Sequence, residues 1–169
     1  EIVNRAGVTD AAEILTQMKD NIIKALHQYG AFDSIHDGMD MALCVIDKDM
    51  KTLQFAGAYN PLLIVRDGEV IDYRATRRPV SYYERDILFE NNQIDLQPND
   101  CIYMFSDGYS DQFGGSRRKK FMMRRFKELL ININELPMDQ QKLKIADTFE
   151  VWKKDVDQVD DVLVMGIRI

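Results

Sequence analysis

Two stretches of the 169-residue chain place carboxylates where strands should end or begin. The first is Phe105-Ser106-Asp107-Gly108-Tyr109-Ser110-Asp111-Gln112, in which Asp107 follows directly on an apolar, strand-like run. The second is Asp160-Asp161, which opens the apolar run Val162 to Ile169. An acid at the mouth of a strand is costly to bury unless something cationic pairs with it. If the two strands are antiparallel neighbours, the end of the first lies beside the start of the second. Asp107 and Asp160, with Asp111 and Asp161, then gather at one sheet edge. Carboxylates that close repel and take up protons unless a divalent cation sits among them. Oxygen donors with no nearby Cys or His favour Mg²⁺ or Mn²⁺ over zinc. The alternative is that each acid caps its own turn separately. Of the other Asp-Gly pairs, Asp67-Gly68 reads as a hairpin turn and no more.

A dense basic run, Arg117-Arg118-Lys119-Lys120 with Arg124, Arg125 and Lys127, follows Asp111 closely. One reading is a solvated helix face. The other is attraction of a phosphorylated, acidic partner toward the acid edge by Arg117 and Arg118, with Arg74, Arg77 and Arg78 lining the same mouth. His27 and His36 are solitary and read as surface or capped residues. Cys44 and Cys101 lie in apolar runs and read as small, buried, reduced core residues, too few for a disulfide framework.

The elements that must position these groups follow from periodicity. Glu1 to Ala6 reads as the end of a helix closed by Gly7. Thr9 is expected to cap a helix with Ile14, Leu15, Met18, Ile22, Leu26 and Tyr29 on one apolar face, ended by Gly30. Met39 to Asp47 is nearly all apolar and reads as a strand buried on both faces. Strands are then expected over Lys51 to Ala58, Leu62 to Arg66, Glu69 to Arg74, Ile87 to Leu96, Cys101 to Ser106 and Val162 to Ile169, with 74–85 as a loop. Helices are expected over Arg118 to Asn132 and from Pro137 onward. Strands in a row with helices set apart from them make the fold class α+β.

Composition narrows the classes further. Lys plus Arg is 22 and Asp plus Glu is 28, a net charge of −6, which argues against a general nucleic-acid binder. An apolar fraction of 46% supplies a core. The longest unbroken apolar run, Met41 to Ile46, is far short of a membrane span, so no membrane contact is expected of this chain. The first residue is Glu1, not Met, and the chain is expected to be a piece of a longer one.

Ser106-Asp107-Gly108 with Asp111, then Phe113-Gly114, then Asp160-Asp161-Val162-Leu163-Val164, resembles the metal-dependent phosphatases of the protein phosphatase 2C superfamily. The likeness is to the bacterial branch typified by the sporulation stage II protein E phosphatase domain. Phe55-Ala56-Gly57-Ala58-Tyr59-Asn60-Pro61 is similar to that branch's Ala-Gly hairpin segment, and Gln97-Pro98-Asn99-Asp100 to its turn before the catalytic strand. The motifs run in order from about Met39 to Ile169.

The resemblance implies a β-sandwich flanked by helices, with two Mn²⁺ or Mg²⁺ ions at one end. It implies hydrolysis of phosphoserine or phosphothreonine on a regulatory protein of bacterial signalling, by a metal-activated water. Asp107 and Asp160 match metal ligands at the catalytic centre, and Asp111 matches an acid that helps hold a looser ion. Gly108 matches a tight backbone turn near the metals, and Asp161 a group that hydrogen-bonds behind the ligands. The family's first metal motif, Asp-Gly-His-Gly, does not occur in the chain. The expectation is therefore a single domain over 1–169 that is truncated at the N-terminus, lacks its first strands and half the metal site, binds metal weakly and has little or no activity by itself. Its exposed sheet edge is expected to favour self-association. The parent is expected to be cytoplasmic, anchored if at all through an N-terminal region outside this chain. The alternative is a non-catalytic phosphatase-like module that binds a partner.

Overall fold

The computed structural model describes residues 2–28, 38–83 and 87–169. Along the chain the elements are α1 (Ala11–Ala25), β1 (Met41–Ile46), β2 (Thr52–Ala58), β3 (Leu62–Arg66), β4 (Glu69–Tyr73), β5 (Asn92–Asp95) and β6 (Cys101–Phe105). They continue as α2 (Gly108–Asp111), β7 (Phe113–Gly114), β8 (Lys119–Lys120), α3 (Met123–Ile133), α4 (Met138–Lys153) and β9 (Val164–Arg168). Antiparallel sheets and separate helices give the expected α+β class. None of the described helices is long and apolar enough to cross a membrane. The chain divides into two compact units, Glu1–Leu62 with Tyr73–Leu96, and Leu63–Asp72 with Gln97–Ile169.

In the first unit, β1, β2 and β5 form a sheet in the order β1-β2-β5. Helix α1 covers it, burying Ala11 and Leu15 with Ala56, Ala58, Val80 and Phe89. The cap of α1 is Asp10, not Thr9: the Asp10 carboxylate accepts from the Glu13 N–H at 2.9 Å. An acid at this position also opposes the positive end of the helix dipole. The helix ends at Ala25, and the expected stop at Gly30 lies outside the described residues, as do Tyr29, His36, Asp37 and residues 84–86. Strand β1 departs from expectation, because all six of its residues are half-buried rather than enclosed. It is an outer strand of its sheet, so continuous apolarity here does not mean cover on both faces. Cys44 on β1 is half-buried, and burial pushes its thiol up to about 12, so it stays protonated at neutral pH.

The second unit carries a four-stranded sheet in the order β4-β3-β6-β9. Asp67 and Gly68 join β3 to β4 with φ of 50° and 77°, the left-handed pair that a tight hairpin demands. Strands β6 and β9 are antiparallel, with Cys101 opposite Arg168 and Phe105 opposite Val164. The core beneath them is aromatic. The Tyr109 ring lies 5.2 Å from Phe121, 4.8 Å from Phe126 and 5.1 Å from Phe149, which ties α2, α3 and α4 together. Helix α4 begins after Pro137, as the sequence predicts. Helix α3 starts five residues later than the expected Arg118. Arg118 and Met122 hold φ of 44° and 75°, which no α-helix admits, and Lys119–Lys120 instead pairs with Phe113–Gly114 in a short hairpin.

Candidate active site

The β6–β9 ladder carries its register beyond the last strand pair. Past Phe105 and Val164, the Ser106 N–H donates to the Leu163 carbonyl at 3.0 Å. The Ser106 hydroxyl accepts from the Leu163 N–H at 2.9 Å and donates to the Asp161 carbonyl at 2.8 Å. One serine thus carries the end of β6 onto the stretch that leads into β9.

Gly108 completes the approach. A Cβ built on it would overlap the Asp161 carbonyl oxygen and lie 3.4 Å from the Asp160 carbonyl carbon. The glycine is needed because another backbone passes against it, not because the turn requires a left-handed φ; Gly108 is not among the positive-φ residues. The Asp107–Gly108 and Asp160–Asp161 backbones are therefore in contact, although 53 positions separate Asp107 from Asp160 in the chain.

Asp107 precedes α2, and its side chain makes no capping hydrogen bond to that helix. Its carbonyl oxygen accepts from the Asp111 N–H at 2.9 Å and the Ser110 hydroxyl at 3.0 Å, which fixes the turn while the carboxylate remains exposed. Asp160 is also exposed; its Oδ1 accepts from the Asp161 N–H at 2.7 Å, and its carbonyl accepts from Gln158 Nε2 at 2.8 Å. Asp161 contributes its carbonyl to Ser106, and its own carboxylate is exposed. Asp111 is held differently, because its Oδ2 lies 2.6 Å from Lys120 Nζ on β8.

The expected cationic residues separate. Arg117 and Arg118 lie between β7 and β8, exposed, with Arg118 3.8 Å from Asp155. Arg78 belongs to the first unit and is buried, 3% exposed. Its guanidinium donates to the carbonyls of Pro79, Ser81 and Ile87 and stands over the Phe89 ring at 5.1 Å. This corrects the reading of Arg78 as a substrate-attracting residue. A buried loop has carbonyls to satisfy, and the five N–H donors of an arginine satisfy several at once.

Gln112, which is fully buried, was not singled out from the sequence, and Lys120, read there only as part of the basic run, pairs with Asp111. The available signal for Gln112 was a neutral amide set between the acid Asp111 and the aromatic Phe113.

The donors exposed at this edge are carboxylate oxygens, the kind that suits a hard divalent cation. Among the described residues no three His, Cys, Asp or Glu side chains converge to hold a metal by themselves. Mg²⁺-type sites commonly use one or two carboxylates and take their remaining donors from water and phosphate. Asp107 and Asp160 fit that kind of site.

Comparison with known proteins identifies the lineage. The profile of stage II sporulation protein E (SpoIIE) matches residues 5–169. The chain belongs to the SpoIIE family. Its fold is that of protein phosphatase 2C domains. The SiaA-PP2C domain of Pseudomonas aeruginosa is 27% identical with a TM-score of 0.85, and the match covers 99% of this chain and 64% of that one. A Mycobacterium tuberculosis structure of RsbU and RsbW domains matches with 21% identity and a TM-score of 0.71, over 99% of this chain and 44% of that one. The manganese-presoaked SpoIIE phosphatase domain of Bacillus subtilis matches with 18% identity and a TM-score of 0.58, over 93% of this chain and 72% of that one. This chain thus spans less than two thirds of the length of the SiaA-PP2C chain. No curated protein matches the sequence.

Proposed function

We propose that this SpoIIE-family chain supplies the Asp107–Asp160 half of a metal-dependent protein phosphatase centre, acting on phosphoserine or phosphothreonine of a regulatory protein. One observation carries the reading: the Asp107–Gly108 turn and the Asp160–Asp161 stretch meet beyond the last β6–β9 pair. SpoIIE-family membership and the manganese-soaked Bacillus subtilis relative support the choice of reaction and ion.

When bound, Mn²⁺ or Mg²⁺ would polarise a water and neutralise charge on the phosphoryl oxygens. Asp107 and Asp160 would hold the cation, with Asp111 a further donor once its pairing to Lys120 is exchanged. Asp161 orients its neighbour, because its N–H donates to Asp160 Oδ1 and leaves Oδ2 for the ion. Gly108 lets the two backbones approach. Arg117 and Arg118 would draw an acidic phosphoprotein toward the edge.

The test is phosphate release from a phosphoserine peptide by the full-length protein containing this chain, with and without Mn²⁺. The expected result is metal-dependent turnover that Asp107→Asn and Asp160→Asn each lower by about a hundred-fold or more. Turnover indifferent to both substitutions would sink the proposal. The other reading, a partner-binding module without catalysis, draws on the absence of a third metal-holding side chain among the described residues. It predicts unchanged partner binding in Asp107→Asn and no turnover in either form.

A further inference from the structure

Gln112 is 0% exposed, yet its whole amide is engaged. Its Nε2 donates to the carbonyls of Phe113 at 3.0 Å and Asp157 at 2.9 Å. Its Oε1 accepts from the Val159 N–H at 3.3 Å. Its main-chain carbonyl accepts from the Phe121 N–H at 2.9 Å and from Trp152 Nε1 at 3.0 Å. A carboxamide has two N–H donors, so both are spent. One residue thereby joins the β7–β8 hairpin, α4 and the stretch that follows α4.

That stretch, 154–163, forms no strand ladder of its own. Gln112 grips it at Asp157 and Val159, and Ser106 grips it at Asp161 and Leu163. Asp160 lies between the two grips. Both gripping residues come from Ser106–Gln112, the same seven-residue stretch that carries Asp107 and Asp111.

We infer that Gln112 is a positioning residue which, together with Ser106, fixes where the Asp160 carboxylate stands relative to Asp107. The inference rests on reading this edge as a divalent-cation site. Cation affinity depends on donors held in place by their supporting hydrogen bonds, and loss of such support typically weakens binding about 10- to 100-fold. Only an amide suits the position. Glutamate would set lone pairs against the Phe113 and Asp157 carbonyls, and leucine would leave those carbonyls and the Val159 N–H without this partner.

The experiment uses the full-length protein containing this chain and reads Mn²⁺ affinity by water-proton relaxation together with native-state amide exchange. In Gln112→Leu and Gln112→Glu, Mn²⁺ affinity is expected to fall about 10- to 100-fold. Exchange at the Val159 N–H is expected to quicken about tenfold or more, while the Ile102 and Tyr103 amides of β6 keep their protection as a check on folding. Ser106→Ala should act likewise at the Leu163 N–H, and Ser106→Thr, which keeps the hydroxyl, should restore both readouts. Folded Gln112 variants with unaltered Val159 exchange and unaltered Mn²⁺ affinity overturn the inference. If the Gln112 variants do not fold, the Ser106 pair decides: unchanged Leu163 exchange and Mn²⁺ affinity in Ser106→Ala overturns it. Asp107→Asn separates the two levels. Mn²⁺ binding equal to that of the unaltered chain in Asp107→Asn refutes the cation reading, while the Val159 exchange data still decide whether Gln112 holds the loop.

Discussion

The β6–β9 pair presents carboxylates at both of its ends and treats them in opposite ways. At the end where Cys101 faces Arg168, Asp100 is 1% exposed and locked. Arg66 donates to it twice, Nε to Oδ1 at 2.8 Å and Nη2 to Oδ2 at 2.6 Å, and the Gln97 N–H adds a third bond at 2.9 Å. Arg168 closes the same end, donating to Cys101 Sγ at 3.2 Å and to the carbonyls of Leu136 and Asn134. At the other end Asp107 and Asp160 are exposed, and among the described residues neither has a cationic partner. A buried carboxylate held by three hydrogen bonds, two of them from a guanidinium, serves the fold; the exposed acids at the other end are the ones open to the cation proposed above. The length of the same strand pair keeps the two groups of acids apart.

The largest effect that would break this contrast comes from the buried end. Asp100→Ala leaves the Arg66 guanidinium without its carboxylate, and removing one partner of a buried pair costs about 3–5 kcal/mol, which thermal or denaturant unfolding would register. A loss under about 1 kcal/mol would make the two ends alike. Gly108→Ala comes next, with an expected cost of about 1–3 kcal/mol, because the new methyl meets the Asp161 carbonyl rather than a movable side chain. Its melting temperature should fall and its Mn²⁺ affinity with it.

Acid titration sharpens the contrast. Burial pushes the Asp100 carboxyl up, but the Arg66 guanidinium and the Gln97 N–H outweigh it and hold the group below the usual carboxylate range. The unfolded chain then takes up the proton more readily than the folded one. The contribution to stability is complete above the unfolded value of about 3.9 and is lost as pH falls through the lower folded value. Melting temperature followed down to about pH 2 should drop less steeply in Asp100→Asn than in the unaltered chain.

Lys120→Met tests the intermediate case. Lys120 and Asp111 are both 42% exposed, so breaking the pair should cost about 0–1 kcal/mol while freeing Asp111 as a donor. Smallest of all is the stability change expected for Asp107→Asn, within about 0.5 kcal/mol, alongside its loss of Mn²⁺ binding. Destabilisation on the scale of Asp100→Ala would mean that Asp107 is a structural acid after all.

How much of this was legible in the sequence depends on the range of the interaction concerned. The Asp67-Gly68 turn and the start of α4 after Pro137 could be read because two or three neighbouring residues decide them. The order of the acid motifs could be read because each sits at the end of an apolar run. The start of α3 could not, since Lys119–Lys120 is drawn into the β7–β8 hairpin, Arg118 and Met122 hold left-handed φ, and no glycine marks either residue. Nor could the burial of Arg78, which follows from carbonyls as far away as Ile87. The half-burial of β1 depends on its outer place in the sheet, which periodicity does not encode. Gln112 escaped notice because its partners at Asp157 and Val159 lie 45 and 47 positions along the chain.

The β7–β8 hairpin is packed at its root and exposed at its tip. A Cβ on Gly114 would overlap the Trp152 carbonyl, and the Gly115 N–H donates to that same oxygen at 2.9 Å, whereas Arg117 and Arg118 are exposed. Exchanging Arg117 and Arg118 should therefore alter the surface charge of the hairpin without disturbing Trp152 or the aromatic layer beneath it. For protein engineering, this makes Arg117 and Arg118 a place where surface charge can be rewritten while the scaffold stays as it is.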